Sequence, residues 1–244
     1  MTTSKPAATT GGVFVTATDT GVGKTFIACA LARNWRGLGL TVAPRKPAES
    51  GCSLRDGEYW PEDGIRLAEA AGIPLERLAE VNRFRLPEPL APDLAARLAG
   101  TSLWLQDLVD ACRHPAGSWR ITEGAGGFYS PLCEDGLNAD LAEALGDPVI
   151  LVAEDRLGTL SSCLLATEAI ERRGLFLAGV VLNRRRDSAH PAMDNRGALV
   201  QRLAAPVFCI REGTPPEQVD QIFSTWSSSM VSPPEPGSTG SASR

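Results

Sequence analysis

The sequence predicts a three-layer α/β fold, in which a mostly parallel sheet carries helices on both faces. Short runs of valine, isoleucine and leucine alternate with longer amphipathic segments, a pattern typical of buried parallel strands joined by helices. A glycine-rich turn leads from the first strand-like run into the first helical segment, which it enters at Gly23-Lys24-Thr25. This arrangement is typical of a P-loop, so the sequence predicts a P-loop fold. Ligands bind such sheets beyond the carboxyl ends of the strands, so we expect the functional residues there.

The individual elements follow from their apolar patterns in chain order. Apolar runs predict strands at 13–17, 41–43, 119–122, 148–153, 177–182 and 206–210. Apolar residues at helical spacing predict helices at 24–35, 63–71, 92–99, 103–112 and 160–173. Glycines supply the stop signals, with Gly37 and Gly39 after the first helix and Gly174 after the last.

A single domain is expected to occupy most of the chain. The 244 residues suffice for one large domain, which we expect at 12–226. Residues 1–11 are predicted to be a flexible N-terminus, without the apolar stretch of a signal peptide. Residues 227–244 are mainly serine, proline and glycine. Such a composition cannot bury a core and predicts a disordered tail.

Charge and cysteine content narrow the class of protein. The formal net charge is −5, whereas nucleic-acid binders are usually basic, so no nucleic-acid partner is expected. No apolar run is long enough for a membrane span. The six cysteines include no C-x-x-C pair, which disfavours a zinc site and suggests a reducing compartment. The expected location is therefore the cytoplasm.

The glycine-rich turn is the clearest functional motif. Backbone N–H groups of such a loop bind phosphate oxygens, aided by the positive end of the following helix. Lys24 would reach the β- and γ-phosphates, and the Thr25 hydroxyl would coordinate magnesium. The general motif has glycine where this chain has Thr18. The motif therefore fails at one position, but its place between a strand and a helix favours nucleotide binding over an accidental match.

Two further clusters follow predicted strands. Lys46 comes after the second strand, where a lysine can neutralise charge developing on a transferred phosphoryl group. Taken alone, however, the segment favours a surface lysine before a proline-marked turn, because Lys-Pro pairs are common. Glu123 follows the strand at 119–122, where a carboxylate facing a P-loop is well placed to hold magnesium. Asp63 has no such local signal and could simply begin a helix.

Three motifs taken together resemble one enzyme family. They are T-x-T-D-T-x-V-G-K-T at 16–25, K-P-x-x-S-G at 46–51 and E-G-A-G-G at 123–127. In this order and at these separations they resemble dethiobiotin synthetases, and the likeness covers roughly residues 12–183. Threonine at position 18 is what the phosphate loop of this family looks like. The resemblance implies an ATP-dependent enzyme that closes a cyclic urea on 7,8-diaminononanoate with CO2. A carbamate and then a carbamic–phosphoric anhydride are the implied intermediates.

The resemblance also implies roles for individual residues. Lys46 matches the catalytic lysine and Lys24 the P-loop lysine, while Thr20 and Ser50 match hydroxyls that contact the diamine or carbamate. Thr25, Asp63 and Glu123 match the ligands of Mg²⁺. The positions that match contacts to ATP are Gly21, Val22, Gly23, Lys24, Thr25, Phe26, Asp63, Glu123, Gly124, Ala125, Gly126 and Asn183, the last reading the base.

A homodimer is a further implication of the resemblance. In the family, the substrate carboxylate reaches a helix N-terminus of the partner subunit. The matching positions here are Gly158, Thr159, Leu160 and Ser161. The chain departs from the family pattern at Gly21, Asp93 and Ser161, and at 210–213, which lacks the element that usually flanks the nucleoside.

Two other classes of protein carry a similar loop. ATP-dependent amidoligases usually add a glutaminase domain with a Cys/His pair, for which this chain is too short. Nucleotide switches of the partition-ATPase type usually have an extra lysine early in the loop, and 17–22 contains none. The sequence therefore favours the synthetase over both alternatives.

Overall fold

The computed structural model describes residues 11–184, 192–211 and 213–231. The strands are β1 (Gly12–Ala17), β2 (Val42–Arg45), β3 (Ala48–Ser50), β4 (Ser53–Arg55), β5 (Glu58–Trp60), β6 (Phe84–Leu86), β7 (Trp119–Glu123), β8 (Pro131–Cys133), β9 (Gly136–Leu137), β10 (Val149–Glu154), β11 (Leu177–Arg184) and β12 (Val207–Arg211). The helices are α1 (Lys24–Gly37), α2 (Glu62–Ala71), α3 (Leu78–Val81), α4 (Pro92–Leu98), α5 (Leu105–Ala111), α6 (Asn138–Leu145), α7 (Thr159–Arg172), α8 (Asn195–Val200) and α9 (Pro216–Val231).

The central sheet is parallel and buried on both faces. Its strand order is β12-β11-β10-β1-β7-β2, and every pairing in it is parallel. Side chains alternate across a strand, so Val13 and Val15 of β1 join the core under α1, α2 and α9, whereas Phe14 joins the core on the opposite face. The three-layer α/β prediction is confirmed, because each face of the sheet has its own apolar core.

The predicted strands and helices all occur, with ends shifted by a few residues at most. Sequence reasoning missed shorter elements. The strand pairs β3–β6, β4–β5 and β8–β9 have two or three residues a strand, too few for a periodic signal. The helices α3, α6, α8 and α9 were missed as well. Within the described ranges, we find no helix with the length and apolar character needed to cross a bilayer.

The C-terminal helix α9 extends past the predicted end of the domain. It continues through Val231, five residues into the segment predicted as a disordered tail. The helix is anchored by Val219, Phe223 and Trp226, which are buried against α1 and the sheet. A helix fixed by such contacts can extend past its last anchor, because each added residue gains a backbone hydrogen bond. Residues 1–10 and 232–244 of the predicted termini lie outside the described residues.

Trp226 joins α9 to the sheet through a hydrogen bond and close packing of its ring. Its indole N–H donates to the carbonyl of Ala178 at 3.2 Å, and its ring packs with Phe208 and Phe223 at centroid distances of 4.9 and 5.6 Å. A Cβ at Gly179 would lie 2.8 Å from the indole. The close approach of ring and strand therefore requires glycine at this position.

We expect Trp226→Ala to lower the free energy of unfolding by about 3–5 kcal/mol, since it empties a packed aromatic site. Urea denaturation would measure the change. The matched control is Trp104→Ala, because Trp104 is 52% exposed and should change stability by no more than about 0.5 kcal/mol. Equal effects of the two substitutions would contradict a core role for α9.

Candidate active site

The phosphate loop links the end of β1 to α1 through two glycines in left-handed backbone conformations. Gly21 and Gly23 have φ of 74° and 100°, values that side chains disfavour. A Cβ at Gly23 would also collide with the side-chain amide of Asn183, which donates to the carbonyl of Val22 at 3.0 Å. The loop is thus held against the carboxyl end of β11, as expected for a ligand site at the edge of a parallel sheet.

Lys24 is the first residue of α1 and is buried, with 7% of its surface exposed. Its Nζ donates to the carbonyl of Asp19 within the loop at 3.2 Å. Burial lowers the pKa of Lys24 to about 8; the charge of Lys46 also lowers it, and the charge of Glu123 partly offsets both effects. The loop therefore holds a lysine whose charge is costly until an anion such as a phosphate arrives.

Lys46 and Glu123 form a buried ion pair at the ends of neighbouring strands. Lys46 follows β2 and Glu123 ends β7, and their Nζ and Oε1 atoms lie 2.6 Å apart. The Thr25 hydroxyl donates to the same Oε1 at 2.8 Å. Burial alone would lower the pKa of Lys46, but the carboxylates of Glu123, Asp63 and Glu49 outweigh it and raise the pKa. Lys46 is therefore positively charged at neutral pH.

Asp63 completes this cluster from the first turn of α2. Its Oδ2 lies 3.5 Å from Lys46 Nζ, and its side chain is 33% exposed. Sequence reasoning missed the residue that fixes this turn, Glu49, whose carboxylate accepts from the backbone N–H groups of Asp63 and Gly64. An acidic residue inside the K-P-x-x-S-G segment was a visible signal, but the sequence did not reveal its partner.

The three expected magnesium ligands offer a suitable set of donors. The Thr25 hydroxyl, Glu123 and Asp63 supply oxygen atoms, which Mg²⁺ prefers, and the ion is commonly bound by one or two carboxylates together with substrate phosphates. In the described chain, Glu123 Oε2 is buried without a hydrogen-bond partner. An unpartnered buried carboxylate oxygen calls for an additional positive or donor group. The residues present therefore fit a magnesium ion.

The glycine-rich segment after β7 is fixed by Asn138, a second residue that sequence reasoning missed. The side chain of Asn138 accepts from Ala125 N at 2.9 Å and donates to the carbonyls of Ala125 and Gly127. A Cβ at Gly124 would lie 2.6 Å from Asn138 Oδ1. Gly124, Ala125 and Gly126 are thus held beside Glu123, at the carboxyl end of β7.

The remaining predicted residues lie around this cluster. Thr20 is exposed in the phosphate loop, Ser50 ends β3 and Phe26 is 42% exposed on α1. Gly158 precedes α7 with φ of 92°, and the Thr159 hydroxyl donates to the carbonyl of Glu154 at 2.5 Å. In the described chain, polar contacts join Thr25, Lys46, Asp63 and Glu123 but do not connect Thr20, Ser50 or 158–161 to them.

The chain is loosely similar in structure to proteins of known structure. A nucleotide-binding protein from Archaeoglobus fulgidus, in complex with ADP, covers 88% of this chain and 87% of its own at 12% identity and a TM-score of 0.49. A family model described as an AAA domain matches residues 11–215. The ATP-dependent dethiobiotin synthetase BioD of Anaeromyxobacter dehalogenans (strain 2CP-C) is 45% identical over 194 residues, 79% of this chain and 85% of the relative. The chain belongs to the dethiobiotin synthetase family.

A more distant member gives the same family assignment. The protein of the same name from Ruthia magnifica subsp. Calyptogena magnifica is 38% identical over 172 residues, which are 70% of this chain and 79% of the relative. The resemblance inferred from the three motifs is therefore confirmed. For a dethiobiotin synthetase family member, the departure of Thr18 from the general phosphate-loop motif is no argument against nucleotide binding.

The lowered pKa of Lys24 predicts proton uptake when nucleotide binds. With a pKa of about 8, against an ordinary 10.5, Lys24 is mostly neutral at pH 9 in the free protein. Phosphates would raise this pKa, so binding takes up a proton and affinity falls as the pH rises from 8 to 10.5, by up to about tenfold per pH unit. Calorimetry of ATP binding in buffers of different ionisation enthalpy measures the uptake.

Lys24→Arg is the control for this proton uptake, because arginine stays charged throughout this pH range. The variant should bind ATP without taking up a proton at pH 9. Equal proton uptake by both proteins would contradict the assignment to Lys24.

Proposed function

We propose that this chain catalyses the ATP-dependent carboxylation and ring closure of 7,8-diaminononanoate with CO2, giving dethiobiotin. The observation that carries the proposal is the buried, charged Lys46 held 2.6 Å from Glu123 beside the phosphate loop, in a chain of the dethiobiotin synthetase family. The reaction needs positive charge around a carbamate and a phosphoryl group, which Lys46 and Lys24 are proposed to supply. The alternatives of an amidoligase or a nucleotide switch gain no support from these features.

The proposed reaction begins with the capture of CO2. One amine of the substrate attacks CO2 with its lone pair and loses a proton to solvent, which leaves a carbamate. The carbamate oxygen then attacks the γ-phosphorus of ATP, the bond to the β-phosphate oxygen breaks and ADP leaves. The second amine attacks the carbonyl carbon of the resulting anhydride. Phosphate departs, the amine proton goes to solvent and the ring closes.

Lys46 and Lys24 act on the charges that move in these steps. The ammonium group of Lys46 has three donors; its hydrogen bond to Glu123 uses one of them, and the Asp63 carboxylate lies 3.5 Å away. We propose that Lys46 binds both the carbamate and the γ-phosphate, because these two groups must be brought together before the attack. Lys24 is proposed to bind the β- and γ-phosphates. Their negative charge would raise its pKa and so favour the protonated form. Thr20 and Ser50 are proposed to bind the diamine or the carbamate.

ATP is proposed to bind along the phosphate loop, with magnesium beside it. Thr25, Asp63 and Glu123 would hold the ion, which when bound neutralises charge on the phosphate oxygens. The backbone of 21–26 and 124–126 is assigned to the phosphates. Asn183 uses its Nδ2 on Val22, which leaves Oδ1 as the acceptor for the amino group of adenine.

A homodimer is proposed for the complete site, with the substrate carboxylate at 158–161 of a partner subunit. Support comes from exposed apolar residues on α7 and in the segment just before it. Leu165 in the helix is 65% exposed, and Leu157 before the helix is 86% exposed. Backbone N–H groups in the first turn of a helix suit an anion. A cavity of about 690 Å³ lies beside α7, lined in part by Thr18, Tyr129 and Leu165.

The cytoplasm is the proposed location. All six cysteines are free, and most are buried, where a thiol behaves as a small apolar group. Free cysteines suit a reducing compartment.

Product formation tests the proposed activity. Incubation with ATP, magnesium, bicarbonate and diaminononanoate should yield dethiobiotin by mass spectrometry, and ATP turnover should depend on the diamine. Lys46→Met should lower kcat by about 10²- to 10³-fold, since it removes a charge aimed at the reacting groups, and should leave ATP affinity nearly unchanged.

Arg113→Met serves as the control for Lys46→Met, because it removes one positive charge from a side chain that is 79% exposed. It should retain full activity. If the rate of ATP hydrolysis does not depend on the diamine and no dethiobiotin forms, the result would contradict the proposed synthetase activity and favour a nucleotide switch.

Leu165→Glu should shift the protein towards monomer in sedimentation velocity experiments, because a charge is costly in an apolar interface. If the partner subunit binds the substrate carboxylate, the KM for the diamine should rise while ATP affinity is retained. Leu38→Glu, at a residue 49% exposed just after α1, should leave both unchanged. A wild-type protein that sediments as a monomer at assay concentrations would contradict the dimer.

A further inference from the structure

Glu49 is a buried carboxylate between the catalytic lysine and α2. It lies in β3, is 6% exposed and is three residues beyond Lys46. Its Oε1 accepts from Asp63 N at 2.9 Å, and its Oε2 accepts from Gly64 N at 2.9 Å. A third donor, Asn82 Nδ2, lies 3.3 Å from Oε2. Both carboxylate oxygens are therefore occupied by protein donors.

The N-terminus of α2 has no side-chain cap of its own. The residue before the helix is Pro61, which has no side-chain acceptor, and no side-chain cap bond is made there. The first N–H groups of a helix otherwise lack partners. Glu49 supplies acceptors for two of these N–H groups from 14 and 15 residues away, and its negative charge suits the positive end of the helix.

Asn82 ties the same carboxylate to the backbone of Lys46. Its Nδ2 donates to the carbonyl of Lys46 at 2.9 Å, and the N–H of Lys46 donates to Val81 at 2.8 Å. Asn82 is fully buried. A Cβ at Gly64 would lie 2.8 Å from Asn82 Cβ, so the close packing of α2 here requires glycine. The position of α2 is thereby fixed relative to Lys46 by a continuous chain of contacts.

We propose that Glu49 is a positioning residue that holds Asp63 at the nucleotide site by capping α2. This inference deepens the proposed function and rests on it, because Asp63 is assigned there to magnesium. Glu49 accepts a hydrogen bond from the backbone of the very residue whose side chain lies 3.5 Å from Lys46. Its role is to set where the Asp63 carboxylate stands, and its own oxygens remain on the helix.

Glu49→Gln tests this role, because the amide keeps the size of the side chain but presents N–H₂ where an acceptor is needed. Binding of β,γ-imido-ATP is measured by calorimetry with and without magnesium. We expect about tenfold weaker binding in magnesium, the effect of losing one charge-assisted cap, and unchanged binding in its absence. Glu69→Gln, an exposed position on the same helix, is the control for charge and should match the wild type in both conditions.

A double-mutant cycle separates positioning from general stabilisation. If Glu49 acts through Asp63, Glu49→Gln should add nothing to Asp63→Asn, because coupled residues are not additive. A lowered melting temperature with wild-type affinity in magnesium would overturn the proposal and leave Glu49 as a structural cap. Independent, additive losses would overturn it as well.

A second variant protects the test against misfolding. Glu49→Asp keeps the charge but, being one methylene shorter, cannot reach both N–H groups, and the same loss in magnesium is expected. The binding measurements contain no diamine or bicarbonate. If dethiobiotin is not formed while the magnesium effect is present, the proposed function fails and the role of Glu49 stands.

Discussion

The buried pairing of Lys46 with Glu123 is the interaction around which the site is built. β2 and β7 are neighbours in register, with Arg45 opposite Thr122, so the next residues of the two strands necessarily meet. A charge taken out of water must be paired, and leaving one partner alone costs about 3–5 kcal/mol. The Glu123 carboxylate also accepts a hydrogen bond from the Thr25 hydroxyl of α1. The Lys46 ammonium group also lies near the Asp63 carboxylate of α2. One ion pair therefore connects two strands and two helices at the site.

Much of this arrangement could be predicted from the sequence. The strands β1, β10, β11 and β12 of the central sheet contain continuous apolar runs, and such runs identify buried parallel strands without tertiary information. Once the strands were assigned, Lys46 and Glu123 stood at carboxyl ends, where parallel sheets collect their functional groups. The phosphate loop was recognisable because glycines, lysine and threonine follow one another directly.

The supporting residues could not be predicted, because their roles depend on contacts between distant segments. Asn138 serves the loop after β7 from beyond the hairpin β8–β9, and Asn82 reaches Glu49 across 33 positions. Among the described residues, β3 pairs only with β6, and over three residues. Strands this short show no apolar periodicity in the sequence. The extension of α9 is a related case, since a serine-rich composition predicts disorder and the buried anchors that hold the helix are tertiary contacts.

The contact between Gly23 and Asn183 has a consequence for how such a sequence can evolve. The two residues come from distant parts of the chain, and the Asn183 amide fills the space that any side chain at position 23 would need. A new side chain at 23 is therefore tolerated only with a smaller residue at 183, and only if the backbone at 23 also changes. The mutational paths of the phosphate loop and of Asn183, the residue proposed to read the base, are thus linked.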